Sequence, residues 1–80
     1  MAVAWTYKYG DDTIVVKNMT AAELYVNDQL QDRKAGINVS ASLTGKLPGG
    51  QEIKASLGGI FKIGCSLFID NELQTPVSEE

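Results

Sequence analysis

Leu24-Tyr25-Val26-Asn27-Asp28-Gln29-Leu30-Gln31 is the stretch on which the fold turns. Leu24 and Val26 alternate with Glu23 and Tyr25, the period of a strand with one face turned inward. Asn27 and Asp28 both tolerate the left-handed backbone that a two-residue hairpin turn demands. Leu30 to Lys34 then reads as the returning strand, broken at Ala35-Gly36. The pattern recurs 43 residues later as Leu67-Phe68-Ile69-Asp70-Asn71-Glu72-Leu73-Gln74, with three positions identical and five conservatively exchanged. Each copy supplies two core residues two apart, an aromatic on the opposite face, two turn residues and a closing Leu. Local hairpin chemistry alone produces such a match, and so does a pair of hairpins set about a pseudo-two-fold around one core. The flanking sequence does not match at this offset, so no duplicated domain is predicted.

The rest of the chain keeps the same period of two. Val3, Trp5, Tyr7 and Tyr9 alternate with Ala4, Thr6 and Lys8, and Gly10-Asp11-Asp12 turns into the β-branched run Thr13 to Lys17. Thr20-Ala21-Ala22-Glu23 has capping-box spacing, but no apolar helical repeat follows, so Asn18 to Ala22 reads as a turn or a single helical turn, not a helix. Val39, Ala41, Leu43, Gly45 and Leu47 share a face, Pro48-Gly49-Gly50-Gln51 turns, and Ile53, Ala55 and Leu57 return inward. Gly58-Gly59 breaks the pattern, and Phe61, Ile63, Cys65, Leu67 and Ile69 line the most regular strand. About seven or eight short strands joined by tight turns predict an all-β fold, a single antiparallel sandwich or small barrel. The domain spans residues 1–76, and 77–80 are expected to form a flexible acidic tail.

Composition removes whole classes of function. The 80 residues include no His and one Cys. The usual Ser-His-Asp, Cys-His and His-metal sites are therefore excluded, and so is an internal disulfide. No charged leader followed by an apolar run opens the sequence, and no apolar stretch approaches membrane-spanning length, so a reducing, cytoplasmic setting is expected. Asn18-Met19-Thr20 and Asn38-Val39-Ser40 match the glycosylation triplet only by coincidence in such a setting. The net charge is −3, and Glu79 and Glu80 account for two of those charges. A nearly neutral body does not carry a nucleic-acid footprint, which is normally basic.

The chemistry-bearing residues all have structural explanations. Cys65 lies in phase with Ile63 and Leu67 and has no base beside it, so it reads as a buried, inert thiol. Asp11-Asp12, Asp28 with Asp32, and Asp70-Asn71-Glu72 lack the alternating oxygens and later Glu of a calcium loop and are explained as turns. Gly45-Lys46 lacks the upstream Gly and following Ser or Thr of a phosphate loop, and Pro48-Gly49-Gly50 joins two strands. Lys46, Lys54 and Lys62 fall out of phase with the apolar face and are expected to solvate the outer face or guard strand edges. The candidate binding residues are Trp5, Tyr7 and Tyr9. Aligned on one strand face, they would offer a platform for a sugar ring, or else pack into the core.

Leu24-Tyr25-Val26-Asn27, Leu43-Thr44-Gly45-Lys46-Leu47-Pro48-Gly49-Gly50-Gln51-Glu52-Ile53-Lys54-Ala55-Ser56-Leu57-Gly58-Gly59 and Cys65-Ser66-Leu67-Phe68-Ile69-Asp70 together resemble a group of small bacterial β-domains. More distantly, the chain is similar to the β-sandwich domains of the Fas apoptotic inhibitory molecule family. The resemblance covers roughly residues 23–74. It implies an antiparallel sandwich without catalytic residues, and no site residue carries over. The expected function is a non-catalytic protein-interaction or structural module, self-associating or bound to a protein partner, with no cofactor and no metal. The alternative is a small-ligand or carbohydrate-binding domain built on Trp5, Tyr7 and Tyr9.

Overall fold

The structure is a computed structural model that describes residues 3–35, 40–59 and 64–80. Nine strands account for its regular structure: β1 Ala4–Tyr9, β2 Asp12–Asn18, β3 Ala21–Val26, β4 Gln29–Ala35, β5 Ala41–Lys46, β6 Glu52–Gly58, β7 Gly64–Ile69, β8 Glu72–Gln74 and β9 Ser78–Glu79. They form a five-stranded sheet in the order β4-β3-β2-β1-β9 and a four-stranded sheet in the order β5-β6-β7-β8. Every strand pair is antiparallel. Among the described residues no ladder joins one sheet to the other, so the small closed barrel is not formed. The expected strand positions at Val39, Phe61 and Ile63, and the outward Lys62, lie outside the described residues.

Side-chain alternation builds the core. Trp5, Tyr7, Ile14, Val16, Leu24 and Val26 of the first sheet are buried in one cluster with Leu43, Ile53, Ala55, Leu57, Leu67 and Ile69 of the second and with Leu47 just after β5. Burying these side chains supplies the main driving force for folding, at about 25 cal/mol per Å² of apolar surface. Lys46 and Lys54 stay exposed, as their phase requires.

The two hairpins recognised in the sequence are built alike. Asn27 and Asp28 take φ 50° and 67°, and Asp70 and Asn71 take φ 47° and 67°. Positive φ at both central residues defines the turn whose twist matches that of the flanking strands. Asn27 Oδ1 accepts from Thr13 N at 2.9 Å while its own N donates to Thr13 O at 2.8 Å. Asp70 repeats this clamp on Glu52, with Oδ1 accepting from Glu52 N at 2.9 Å and N donating to Glu52 O at 2.9 Å.

Strand registers carry the repeat well beyond eight residues. The inward row Trp5–Val16–Leu24 corresponds to Leu43–Ala55–Leu67, and Tyr7–Ile14–Val26 corresponds to Gly45–Ile53–Ile69. The outward row Thr6–Val15–Tyr25–Leu30 corresponds to Thr44–Lys54–Phe68–Leu73. The chain is one four-strand meander built twice. The repeat is hidden from a fixed-offset comparison because the β5–β6 and β6–β7 connections are longer than their counterparts. It departs locally at β4, where Leu24 faces Asp32 and Tyr25 faces Leu30, leaving Gln31 as a bulge.

The acidic terminus, expected to fray, pairs with β1 instead. Trp5 stands opposite Glu79 and Thr6 opposite Ser78. Val77 N donates to Thr6 O at 2.7 Å, Glu80 N donates to Ala4 O at 2.8 Å, and Ala4 N donates to Glu80 O at 2.9 Å. The reason is the edge. Without β9, alternate N–H and C=O groups of β1 would have no strand beside them.

Candidate functional site

Trp5 and Tyr7 are 2% and 1% exposed, whereas Tyr9 is 36% exposed. The three residues therefore do not form a solvent-facing platform. Alternation assigned them to one face, and that face is the core. β1 brings two large rings to positions where the equivalent strand brings Leu43 and Gly45, so the asymmetric filling of the two repeats uses their volume. Tyr9 emerges at the Gly10-Asp11 turn, beyond the reach of the second sheet's cluster.

Burial has a polar consequence. The Tyr7 hydroxyl is buried without a hydrogen-bond partner of good geometry among the described residues. Desolvation pushes its ionisation far above the usual tyrosine range, with the Cys65 thiol and the Glu79 carboxylate adding to the shift. Cys65 itself is partly exposed and packs against the core, rather than being enclosed within it. Desolvation raises its thiol as well, and its interaction with Tyr7 partly offsets that rise. A thiol held protonated is a poor nucleophile. Among the described residues no group of three or more Cys, Asp or Glu is placed to hold a metal ion.

The outward face of the first sheet carries a better-connected group. Glu23 accepts from Tyr25 Oη at 3.1 Å through Oε1 and pairs with Arg33 Nε at 3.3 Å through Oε2. Lys17 Nζ lies 5.1 Å from the centroid of the Tyr25 ring, a cation–π placement. The hydrogen bond to Glu23 holds the Tyr25 hydroxyl proton and raises its ionisation above the ordinary tyrosine value. Beside Tyr25 in the same row stands Leu30, 50% exposed, and the equivalent Leu73 beside Phe68 is 65% exposed. The only sequence signal for this row was the aromatic on the opposite face of each hairpin.

Shallow depressions formed by described residues border the β5–β6 hairpin. One, about 470 Å³, is bounded by Gln31, Thr44, Lys46, Glu52 and Lys54 around Gly45. A second of about 340 Å³ continues from Gln31 and Lys46 toward Asn27 and Pro48, and a third of about 240 Å³ lies between Lys54 and Asn71. Near them, Asp32 Oδ2 accepts from Thr44 N at 2.9 Å and its Oδ1 accepts from Arg33 N at 2.8 Å. That carboxylate spans the first sheet's edge strand β4 and the second sheet's edge strand β5. Among the described residues no helix is long and apolar enough to cross a membrane. Compared with protein-family models, with curated proteins and with solved structures, the chain matches none.

Proposed function

We propose that the chain is a non-catalytic protein-interaction module with the architecture of a β-sandwich. The single cluster of buried residues drawn from both sheets supports the sandwich, in line with the resemblance to the Fas apoptotic inhibitory molecule domains and the small bacterial β-domains. The observation that carries the interaction reading is an apolar pair at equivalent places on the two outward faces. Leu30 and Leu73 stand exposed at equivalent positions, beside Tyr25 and Phe68. An exposed leucine set beside an aromatic ring on a neighbouring strand offers another protein more contact area than a scattered one.

The partner is a protein, including a second copy of this chain, and neither nucleic acid nor a membrane surface. The setting is the bacterial cytoplasm. The net charge of −3 is small enough to leave association unopposed. Sedimentation equilibrium across a wide concentration range tests the self-associating form: a concentration-dependent dimer weakened by Leu30→Ser and Leu73→Ser is expected. A monomer at every concentration removes self-association from the proposal. A carbohydrate site on the Trp5-Tyr7-Tyr9 strip has no such support, since two of its three rings are buried.

A further inference from the structure

The outward side of the first sheet carries an alternation of charge that runs across the strands. Register sets Ala4 beside Lys17, Lys17 beside Glu23 and Glu23 beside Arg33, so the row reads neutral, positive, negative, positive from β1 to β4. The row next to it, Thr6, Val15, Tyr25 and Leu30, carries no charge. The two rows are tied together. Tyr25 Oη donates to Glu23, Arg33 Nε pairs with the same carboxylate, and Lys17 stands over the Tyr25 ring. Side chains already held in this way have less rotamer freedom to lose when another surface covers them.

We infer that this face docks on the same face of a second copy, about a two-fold axis that runs along the strands between β2 and β3. This rests on the interaction reading and names its face and its partner. Such a rotation lays each row over itself in reverse order, so the pattern across the strands decides whether the face fits itself. Here it does. Lys17 comes over the second copy's Glu23 and Glu23 over its Lys17, while Arg33 comes over Ala4. In the uncharged row the half-buried Val15 comes over the half-buried Tyr25, and Leu30 comes over Thr6. No like charges are opposed in either row. A partner of one sign would oppose either Lys17 or Glu23, and that repulsion selects a second copy over a uniformly acidic or basic protein.

The second sheet does not fit itself in this way. Its equivalent axis lies between β6 and β7, where Asp70 N donates to Glu52 O, so these two acids are neighbours across the strands. Stacking there would set Glu52 over the second copy's Asp70, carboxylate against carboxylate. On the first sheet the overlap takes in β1 to β4, strands of six or seven residues. At about 4.8 Å between strands and about 3.4 Å per residue, it covers on the order of 400 Å² of each copy. Contacts of that size are weak and reversible, so the dimer belongs to high concentrations.

The test reverses one charge at a time in the intact chain. Lys17→Glu sets carboxylates against each other on both sides of the axis, and Glu23→Lys does the same with cations. Two attractions are lost and two repulsions gained, so each variant alone should dimerise at least about 4-fold more weakly by sedimentation equilibrium, at about 1.4- to 5-fold per surface pair. An equimolar mixture of the two variants restores both opposite-charge pairs and should associate with wild-type strength, weakening as salt is added. Circular dichroism checks that each variant is folded. Independently of any variant, dilution of the ¹⁵N-labelled wild type should move the amide signals of Val15, Lys17, Glu23 and Tyr25. A mixture that associates no more tightly than either variant alone overturns the proposal. So do dilution shifts confined to Ser56, Ser66 and Phe68, and so does a monomer at millimolar chain. A dimer weakened by Leu73→Ser but indifferent to both charge reversals leaves the interaction reading standing while this one falls.

Discussion

The clamp used at both hairpins can be dissected at Asp70. Its carboxylate accepts the Glu52 N–H at 2.9 Å, and its backbone holds φ at 47°. Asp70→Ala removes both contributions. The lost charge-assisted bond is worth about 1–2 kcal/mol at an exposed edge. An Ala held in the left-handed region adds about 1 kcal/mol, because its Cβ meets the neighbouring carbonyl and no polar side chain compensates. The total, about 2–3 kcal/mol, is a large share of the ~4–12 kcal/mol expected for a domain of this size. Asp70→Gly relieves the backbone but not the bond and should cost about 1–2 kcal/mol. Asp70→Asn keeps an acceptor and a tolerant backbone and should cost less than 1 kcal/mol. Urea unfolding gives the ranking, with unchanged slopes showing that the denatured state is not the source. Melting should fall by about 10–20 °C for the Ala variant. Equal losses for Ala and Gly would refute the backbone contribution, and an Asn variant as unstable as Ala would refute the bond. Asn27→Ala should rank with Asp70→Ala, since Asn27 makes the same clamp and a further bond from Nδ2 to Asp12 Oδ1 at 3.0 Å.

Three further outcomes follow from the packing. Tyr7→Phe removes a buried hydroxyl without a good partner and should leave the protein as stable or up to about 1 kcal/mol more stable, measured by thermal unfolding. Tyr7 binds its proton more tightly folded than unfolded, so its contribution holds below the ordinary tyrosine value of 10.0 and is lost as pH rises beyond it. The alkaline fall in stability should therefore be shallower in Tyr7→Phe, and in the wild type one tyrosinate should appear in the ultraviolet only as the chain unfolds. Gly45→Ala should cost about 1–2 kcal/mol in urea, because the new Cβ would lie 3.0 Å from Gln31 Cβ and 3.1 Å from Leu24 Cδ2. Cys65 should alkylate with iodoacetamide several-fold more slowly than a free thiol at neutral pH, a consequence of its raised ionisation; a rate equal to that of free cysteine would refute the burial argument.

Alternation made most of the fold legible. Leu24, Val26, Ile53, Leu67 and Ile69 are buried where the period of two places them, and both hairpin turns have the positive φ that their Asn and Asp residues announced. The direction of the aromatic face was not legible. Trp5, Tyr7 and Tyr9 share a side of β1, but alternation only groups residues, and what lies opposite them depends on a second sheet far along the sequence. The repeat was visible only at its hairpins, because unequal connections shift the offset elsewhere. The last strand was hidden for a different reason. Ser78 and Glu79 pair through backbone groups, which every residue has, so their side chains gave no sign of it.

That last pairing decides how the domain answers to force. Val3 N and Ala4 N both donate to Glu80 O, so the two ends of the described chain lie side by side on neighbouring antiparallel strands. A load drawn through both ends pulls β9 away from β1 at right angles to the strands. The bonds then break in succession, like a zipper, instead of resisting together in shear. The first rupture strips β1 of its cover while the turns at Asn27-Asp28 and Asp70-Asn71 stay closed. Tension would thus bare the β1 edge at a low threshold, long before the core opens.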